Sequence, residues 1–99
     1  MAAYMIASFD IADRSEYEGY VPGMMPILQK YNPEILVADY ACKALEGESR
    51  GVNVVIKFES EEILMAFYND PAYRPFKEKR LRSTSNGTLL LAREFALPA

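Results

Sequence analysis

The chain has no histidine, no tryptophan and a single cysteine, Cys42. Without an imidazole, most transition-metal sites, haem ligation through histidine and every Ser-His or Cys-His nucleophile pair are excluded. A metal site would have to be built from carboxylates alone, and no spacing of acidic residues suggests one. One thiol excludes an intrachain disulfide and suits a reducing compartment. No apolar run approaches the roughly 18 residues of a membrane span. Met1-Ala2-Ala3-Tyr4 lacks the basic start of a signal peptide. A cytoplasmic location is therefore expected. No glycine-rich, phosphate-cradling loop occurs. The net charge of −3 argues against generic affinity for nucleic acid or an anionic membrane. No cofactor is expected.

What remains is an apolar, tyrosine-rich chain. Ninety-nine residues, half of them apolar, suffice for one domain over residues 1–99 with its own core. Tyr4 to Ile11 predicts a strand with neither face plainly polar. Asp13, with Glu16 three residues on, resembles an acidic capping box that starts a helix. Along it Tyr17, Tyr20, Val21, Met24, Leu28 and Tyr31 share one side. Pro22 and Pro26 predict a kink near Val21-Pro22-Gly23, and Asn32-Pro33 ends the helix. A second strand is expected over Ile35 to Leu45, a polar hairpin loop over Glu46 to Gly51 and a third strand over Val52 to Glu59. Ser60 caps the next helix, with Glu61 and Glu62 in its first turn. That helix should stop at Asn69, because the residue before a proline is pushed out of the α region. Asp70 then reads as an N-cap and Pro71 as the first residue of a third helix. On it Tyr73, Phe76, Lys77, Arg80 and Leu81 recur at helical spacing. Ser83 to Gly87 is expected as a loop, Thr88 to Phe95 as the last strand and Pro98 as the end.

The order strand, helix, strand, strand, helix in two pieces, strand is that of the ferredoxin-like βαββαβ unit, an α+β fold. Right-handed crossovers place the helices on one face of a four-stranded antiparallel sheet. The other face still carries Tyr4, Ile6, Val55, Leu90 and Ala92, or their neighbours. Such a patch, several hundred Å² in extent, is roughly the limit for a soluble monomer. Packing two sheets face to face removes it, so a homodimer with a barrel-like core is expected.

Several stretches resemble the domain of unknown function 1330. They are Tyr4-Met-Ile-Ala, Asp13 with Tyr17 and Tyr20, Leu45-Glu-Gly, Val54-Val-Ile-Lys-Phe-Glu-Ser, and Ala66-Phe-Tyr-Asn-Asp-Pro-Ala-Tyr-Arg-Pro-Phe with Arg80. The likeness runs from Tyr4 to about Phe95, and Phe67 to Tyr73 with Arg80 is its most specific part. The resemblance implies membership of the dimeric α+β barrel superfamily. That superfamily includes cofactor-independent monooxygenases, small-molecule isomerases and haem-handling enzymes, whereas the family itself has no established activity. Three departures mark a divergent member. Asn32, Pro33 and Glu34 stand where the family usually has two glycines and a basic residue. Ala38, Asp39 and Tyr40 replace an arginine and two glycines, and Glu48-Ser49-Arg50 lacks the family's tryptophan.

The candidate ligand-binding residues are Tyr17, Tyr20, Tyr73 and Arg80. Tyr73 and Arg80 lie two helical turns apart, so both side chains can point one way. An arginine and a phenol at a cleft suit a carboxylate or an enolate-like anion. The alternative is structural, with Arg80 paired to Asp10 or Glu59 and Tyr73 in the core. Tyr31, Tyr40 and Tyr68 extend the set of phenols available to a cavity, and they equally suit core positions with surface hydroxyls. Ser8, Asp10, Asn53, Lys57 and Arg93 are polar residues on strands, read either as an acid–base set or as strand-end and dimer-seam residues. Lys77, Lys79, Arg80 and Arg82, interrupted by Glu78, read as a solvated face rather than a phosphate site. Cys42 reads as a buried, inert thiol.

Two functions fit: a homodimeric binder of a small organic ligand, with or without cofactor-independent catalysis on an aromatic or enolisable anion, and a non-catalytic dimeric interaction or regulatory module. Haem or metal chemistry is disfavoured by the missing histidine.

Overall fold

The computed structural model describes residues 1–96. Four strands, β1 (Ala3–Ile11), β2 (Glu34–Asp39), β3 (Val52–Phe58) and β4 (Thr84–Arg93), form one antiparallel sheet in the order β2-β3-β1-β4. Helices α1 (Arg14–Tyr17) and α2 (Tyr20–Gln29) connect β1 to β2, and α3 (Glu61–Tyr68) and α4 (Arg74–Ser83) connect β3 to β4. This is the expected ferredoxin-like α+β arrangement. In the central strands Met5 pairs with Ile56 and Phe9 with Val52, so these apolar side chains share the sheet face that meets the helices. They form one core with Tyr17, Tyr20, Met24, Leu28, Leu64, Phe67 and Tyr73. The opposite face carries the row Val55-Ile6-Leu90 beside Tyr4 and Ala92, none of them fully buried.

Two of the three caps expected from the sequence are formed. The Asp13 carboxylate accepts from the Glu16 N–H at 3.1 Å, and Ser60 Oγ accepts from the Ile63 N–H at 3.2 Å. Asn32, at φ 54°, ends the first helical arm in the left-handed region. The arm breaks at Glu18-Gly19 rather than near Val21-Pro22-Gly23. Pro22 falls in the first turn of α2, where its missing N–H has no helical partner to lose, and Pro26 is carried inside the helix. Gly23 faces Phe76 across the α2–α4 contact; a Cβ built on it would lie 2.0 Å from the phenyl ring.

Four further boundaries differ from expectation. β2 ends at Asp39, not Leu45: the Asp39 carboxylate accepts from the Ala41 N–H at 2.7 Å and turns the chain, so Tyr40 and Cys42 lie in a loop reaching to Gly51. Cys42 is half-buried there. Asp70-Pro71 opens a turn closed by Tyr73 N–H to Asp70 O at 2.9 Å, and the regular helix α4 begins only at Arg74, with Pro75 in its first turn. Leu81 of that helix points outward and is exposed. The loop expected over Ser83 to Gly87 is absent. The hydroxyls of Ser83 and Thr84 donate back to the carbonyls of Lys79 and Arg80, both at 2.7 Å, closing the helix end so that β4 starts at once. Asn86, also at φ 54°, sits beside the register shift between Ser8 and Asp10 that lets the strand absorb this abrupt start. The expected end at Pro98 lies outside the described residues.

Candidate functional site

The helical arms and the sheet enclose a cavity of about 100 Å³. β1 contributes Met5, Ala7 and Phe9; β3 contributes Val54 and Ile56; α2 contributes Tyr20, Met24 and Leu28. Into this apolar shell project Tyr17 at the end of α1, Tyr73 from the turn before α4, and Arg80 from α4 itself. The four candidate residues read from the sequence, Tyr17, Tyr20, Tyr73 and Arg80, all line it. Ile35 and Tyr40, exposed on their outer sides, mark the mouth along the β2 edge.

The phenols are paired. Tyr20 and Tyr73 share a hydroxyl–hydroxyl hydrogen bond of 2.8 Å at the deep end, where Tyr73 is only 1% exposed. Tyr17 and Tyr40 share one of 3.1 Å at the mouth. The Tyr17 and Tyr20 rings stand 5.6 Å apart, linking the two pairs. Each pair uses one of its two hydroxyl hydrogens internally and leaves the other outside the pair. Burial is the main cause that raises the Tyr17 and Tyr20 phenols, aided by the partner hydroxyls of Tyr40 and Tyr73 respectively. Both therefore stay protonated at neutral pH and act as donors, not bases.

Arg80 is 9% exposed, and its guanidinium carbon lies 6.0 Å from the centre of the Tyr20 ring. The structural alternative, a pair with Asp10 or Glu59, is not formed. Asp10 instead accepts from the Gly51 N–H at 2.9 Å and from Asn86 at 3.2 Å, with Arg50 at 4.0 Å. Among the described residues, Arg50, Arg74, Arg82 and Arg93 each meet a carboxylate. Arg14 and Arg80 do not, and Arg14 is exposed. Burial works against the Arg80 charge, but the oxygens of Tyr73 and Tyr20 more than offset it, and its pKa lies above the ordinary value. A permanent cation thus faces an apolar cavity with no carboxylate of the described residues beside it.

The other sequence candidates lie elsewhere. The Tyr31 hydroxyl donates to Asp70 at 2.7 Å, and Tyr68 lies under Lys77, whose ammonium is 4.2 Å from the ring centre. Lys57 and Asn53 pair across the strands with Tyr4 and Ser8, on the sheet face away from the helices. Lys79 and Arg82 both reach Glu16, at 3.6 and 2.7 Å, and tie α4 to α1. Arg80 is the one member of that basic run turned into the cavity. Sequence reasoning missed the methionines of the wall, Met5, Met24 and Met25. Their only signals were the alternation of β1 for Met5 and the 3.6-residue period of α2 for the other two, and both read equally as core. Among the described residues no group of three or more His, Cys, Asp or Glu side chains is placed to hold a metal.

A family model described as a domain of unknown function (DUF1330) matches residues 2–95. The comparison with curated proteins found no match. Among solved structures, a protein of unknown function from Rhodopseudomonas palustris is similar, with a TM-score of 0.82 at 13% identity over 97% of this chain and 84% of the other. A dimeric ferredoxin-like protein of unknown function from Thermobifida fusca has a TM-score of 0.65 at 17% identity, covering 98% of this chain and 92% of its own. SnoaB, a cofactor-independent oxygenase from Streptomyces nogalater, has a TM-score of 0.59 at 14% identity, covering 99% and 98%. At these identities the likeness establishes the fold. No helix among the described residues is long and apolar enough to cross a membrane.

Proposed function

The chain belongs to the DUF1330 family, and from that premise we propose that it binds a small organic anion, aromatic or enolisable, in the cavity built by Tyr17, Tyr20, Tyr73 and Arg80. The observation that carries this reading is Arg80, a guanidinium 9% exposed with no carboxylate partner among the described residues. The Tyr73 and Tyr20 oxygens already favour that charge, and an anion drawn in beside it gains a charge-assisted hydrogen bond away from bulk water. The apolar walls hold the body of the guest, and a phenol donates a hydrogen bond to its charged atom. Cofactor-independent oxygenation, the activity described for the Streptomyces nogalater relative, is the enzymatic form of this reading.

The working unit is a cytoplasmic homodimer joined through the sheet face that carries Tyr4, Ile6, Val55, Leu90 and Ala92. The Thermobifida fusca relative, described as dimeric, supports it. A thermal-shift screen of the purified protein against benzoates, phenols and quinones tests the binding. A guest at about 100 times its dissociation constant adds about 2.7 kcal/mol, and Arg80→Gln removes that gain. Undiminished binding by Arg80→Gln overturns the reading. A monomer mass at every concentration in light scattering overturns the dimer.

A second reading, a dimeric interaction module without a ligand, is favoured by β2, where consecutive Ile35, Leu36 and Val37 are all exposed. It predicts a flat ligand screen and loss of association when these residues are made polar.

A further inference from the structure

The cavity can meet two kinds of acid: a carboxylic acid arrives already ionised at neutral pH, whereas a phenol or enol must first lose a proton. We infer that its guests are weakly acidic aromatics, phenols or enols, held as their conjugate bases with the proton released to solvent. This rests on the anion-site reading above.

The charges that face the cavity are few. α1 presents Tyr17, α2 presents Tyr20, the loop after β2 presents Tyr40, the turn before α4 presents Tyr73, and α4 presents Arg80. The strands contribute only apolar side chains. The nearest charged clusters lie outside the lining and are internally paired: Glu16 with Lys79 and Arg82, and Asp10 with Arg50. Arg80 therefore acts on the guest without competition. A neutral guest leaves the guanidinium without a counter-charge; an ionised one neutralises it. An opposite charge within about 4–6 Å lowers an acid's pKa by about 1–3 units.

Among the described residues no carboxylate, amine or imidazole lines the cavity to take the proton. It leaves to water through the mouth at Ile35 and Tyr40, and the O–H bond of the guest is the only bond broken.

The donors at the deep end are the Arg80 guanidinium and the one free hydrogen of the Tyr20–Tyr73 pair. Both can meet one phenolate or enolate oxygen, whose remaining charge is delocalised into a ring that needs no donors. The room available, about 100 Å³, is less than the roughly 150 Å³ of an apolar cavity that takes up benzene, so a single ring is the most it takes, with its outer edge in the mouth at Ile35 and Tyr40. Aromatic faces and the sulfurs of Met5 and Met24 line it, and sulfur–aromatic contacts are favourable.

The test uses 4-nitrophenol, whose anion absorbs visible light and whose neutral form does not, titrated with the intact protein below the solution pKa of the probe. The protein should generate the phenolate band and raise the ratio of ionised to neutral probe by about tenfold or more. Arg80→Gln should abolish the band, and Arg80→Lys should restore part of it, with intact thermal unfolding transitions in both. The absorbance of the unaltered protein decides the matter even if a variant fails to fold. Probe bound with the spectrum of the neutral phenol overturns the inference, as does a band that persists in folded Arg80→Gln. Binding of benzoate without 4-nitrophenol overturns the preference for weak acids and leaves the anion site standing. Binding of neither overturns both.

Discussion

The two ends of the cavity use the same chemistry, a pair of tyrosine hydroxyls, in opposite surroundings. At the deep end Tyr20 and Tyr73 are both buried and stand beside a cation. At the mouth Tyr17 is buried, but its partner Tyr40 is 49% exposed and sits on a loop. A buried hydroxyl that loses its partner has no water to replace it, whereas one at the mouth does. The deep pair is therefore fixed by its surroundings, and the mouth pair is free to open. The deep end is also anchored from below. Asp70, whose carbonyl accepts from the Tyr73 N–H, takes the Tyr31 hydroxyl at 2.7 Å and Lys30 at 3.3 Å, fixing the turn that carries Tyr73 to the end of α2.

Substitutions separate the two ends. The largest effect should come from Tyr73→Ala, which empties a side chain in contact with Phe67, ring centres 4.5 Å apart. It should cost about 3–5 kcal/mol in denaturant unfolding. Tyr73→Phe keeps the ring but strands the Tyr20 hydroxyl, and should cost about 1–3 kcal/mol. Arg80→Met should act on binding more than on the fold: anion binding is lost, and the Tyr73 and Tyr20 oxygens lose the guanidinium at a cost of about 1–3 kcal/mol. A folded variant that keeps its ligand after this exchange would break the contrast. Tyr40→Phe should cost at most about 1 kcal/mol and leave affinity nearly unchanged, because water replaces the lost partner.

The smallest effect appears only in acid. The Tyr31 hydroxyl, the Ala72 N–H and Lys30 hold the Asp70 carboxyl below its ordinary value. Its folded pKa is depressed, so its contribution is full above the unfolded value and is lost as pH falls through the folded one. Asp70→Asn should flatten that part of the acid limb in denaturant midpoints followed from neutral pH downward. Asp10, Asp13 and Glu16, lowered by their own hydrogen bonds, supply the rest of the slope.

The fold was legible where sequence signals are local. Asp13 and Ser60 cap the helices they precede, and the alternation of Val52, Val54, Ile56 and Phe58 sets the face of β3. Boundaries failed where a side chain redirects the backbone: Asp39 ends β2 early, and the Ser83 and Thr84 hydroxyls remove a loop that their composition suggests. The meeting of Tyr73 and Arg80 was readable from their spacing on one chain segment. The partner Tyr20 was a candidate, but its hydroxyl contact with Tyr73 depends on how α2 lies against α4, which no local pattern records. Nor does the sequence distinguish Arg80 from Lys79 and Arg82 beside it. The difference is made by Glu16, which takes the two outward cations and leaves the third facing in.

Gly23 lines no part of the cavity, yet it governs how wide the cavity is. A Cβ there would lie 2.0 Å from the Phe76 ring, so any side chain must displace that ring or push α2 away from α4. Tyr20 and Met24 ride on one helix and Arg80 on the other, and the gap between them would grow if the helices part. The position is thus a molecular shim: the width of the cavity can be altered there without changing a residue that lines it, and a paired trimming of Phe76 would set it back.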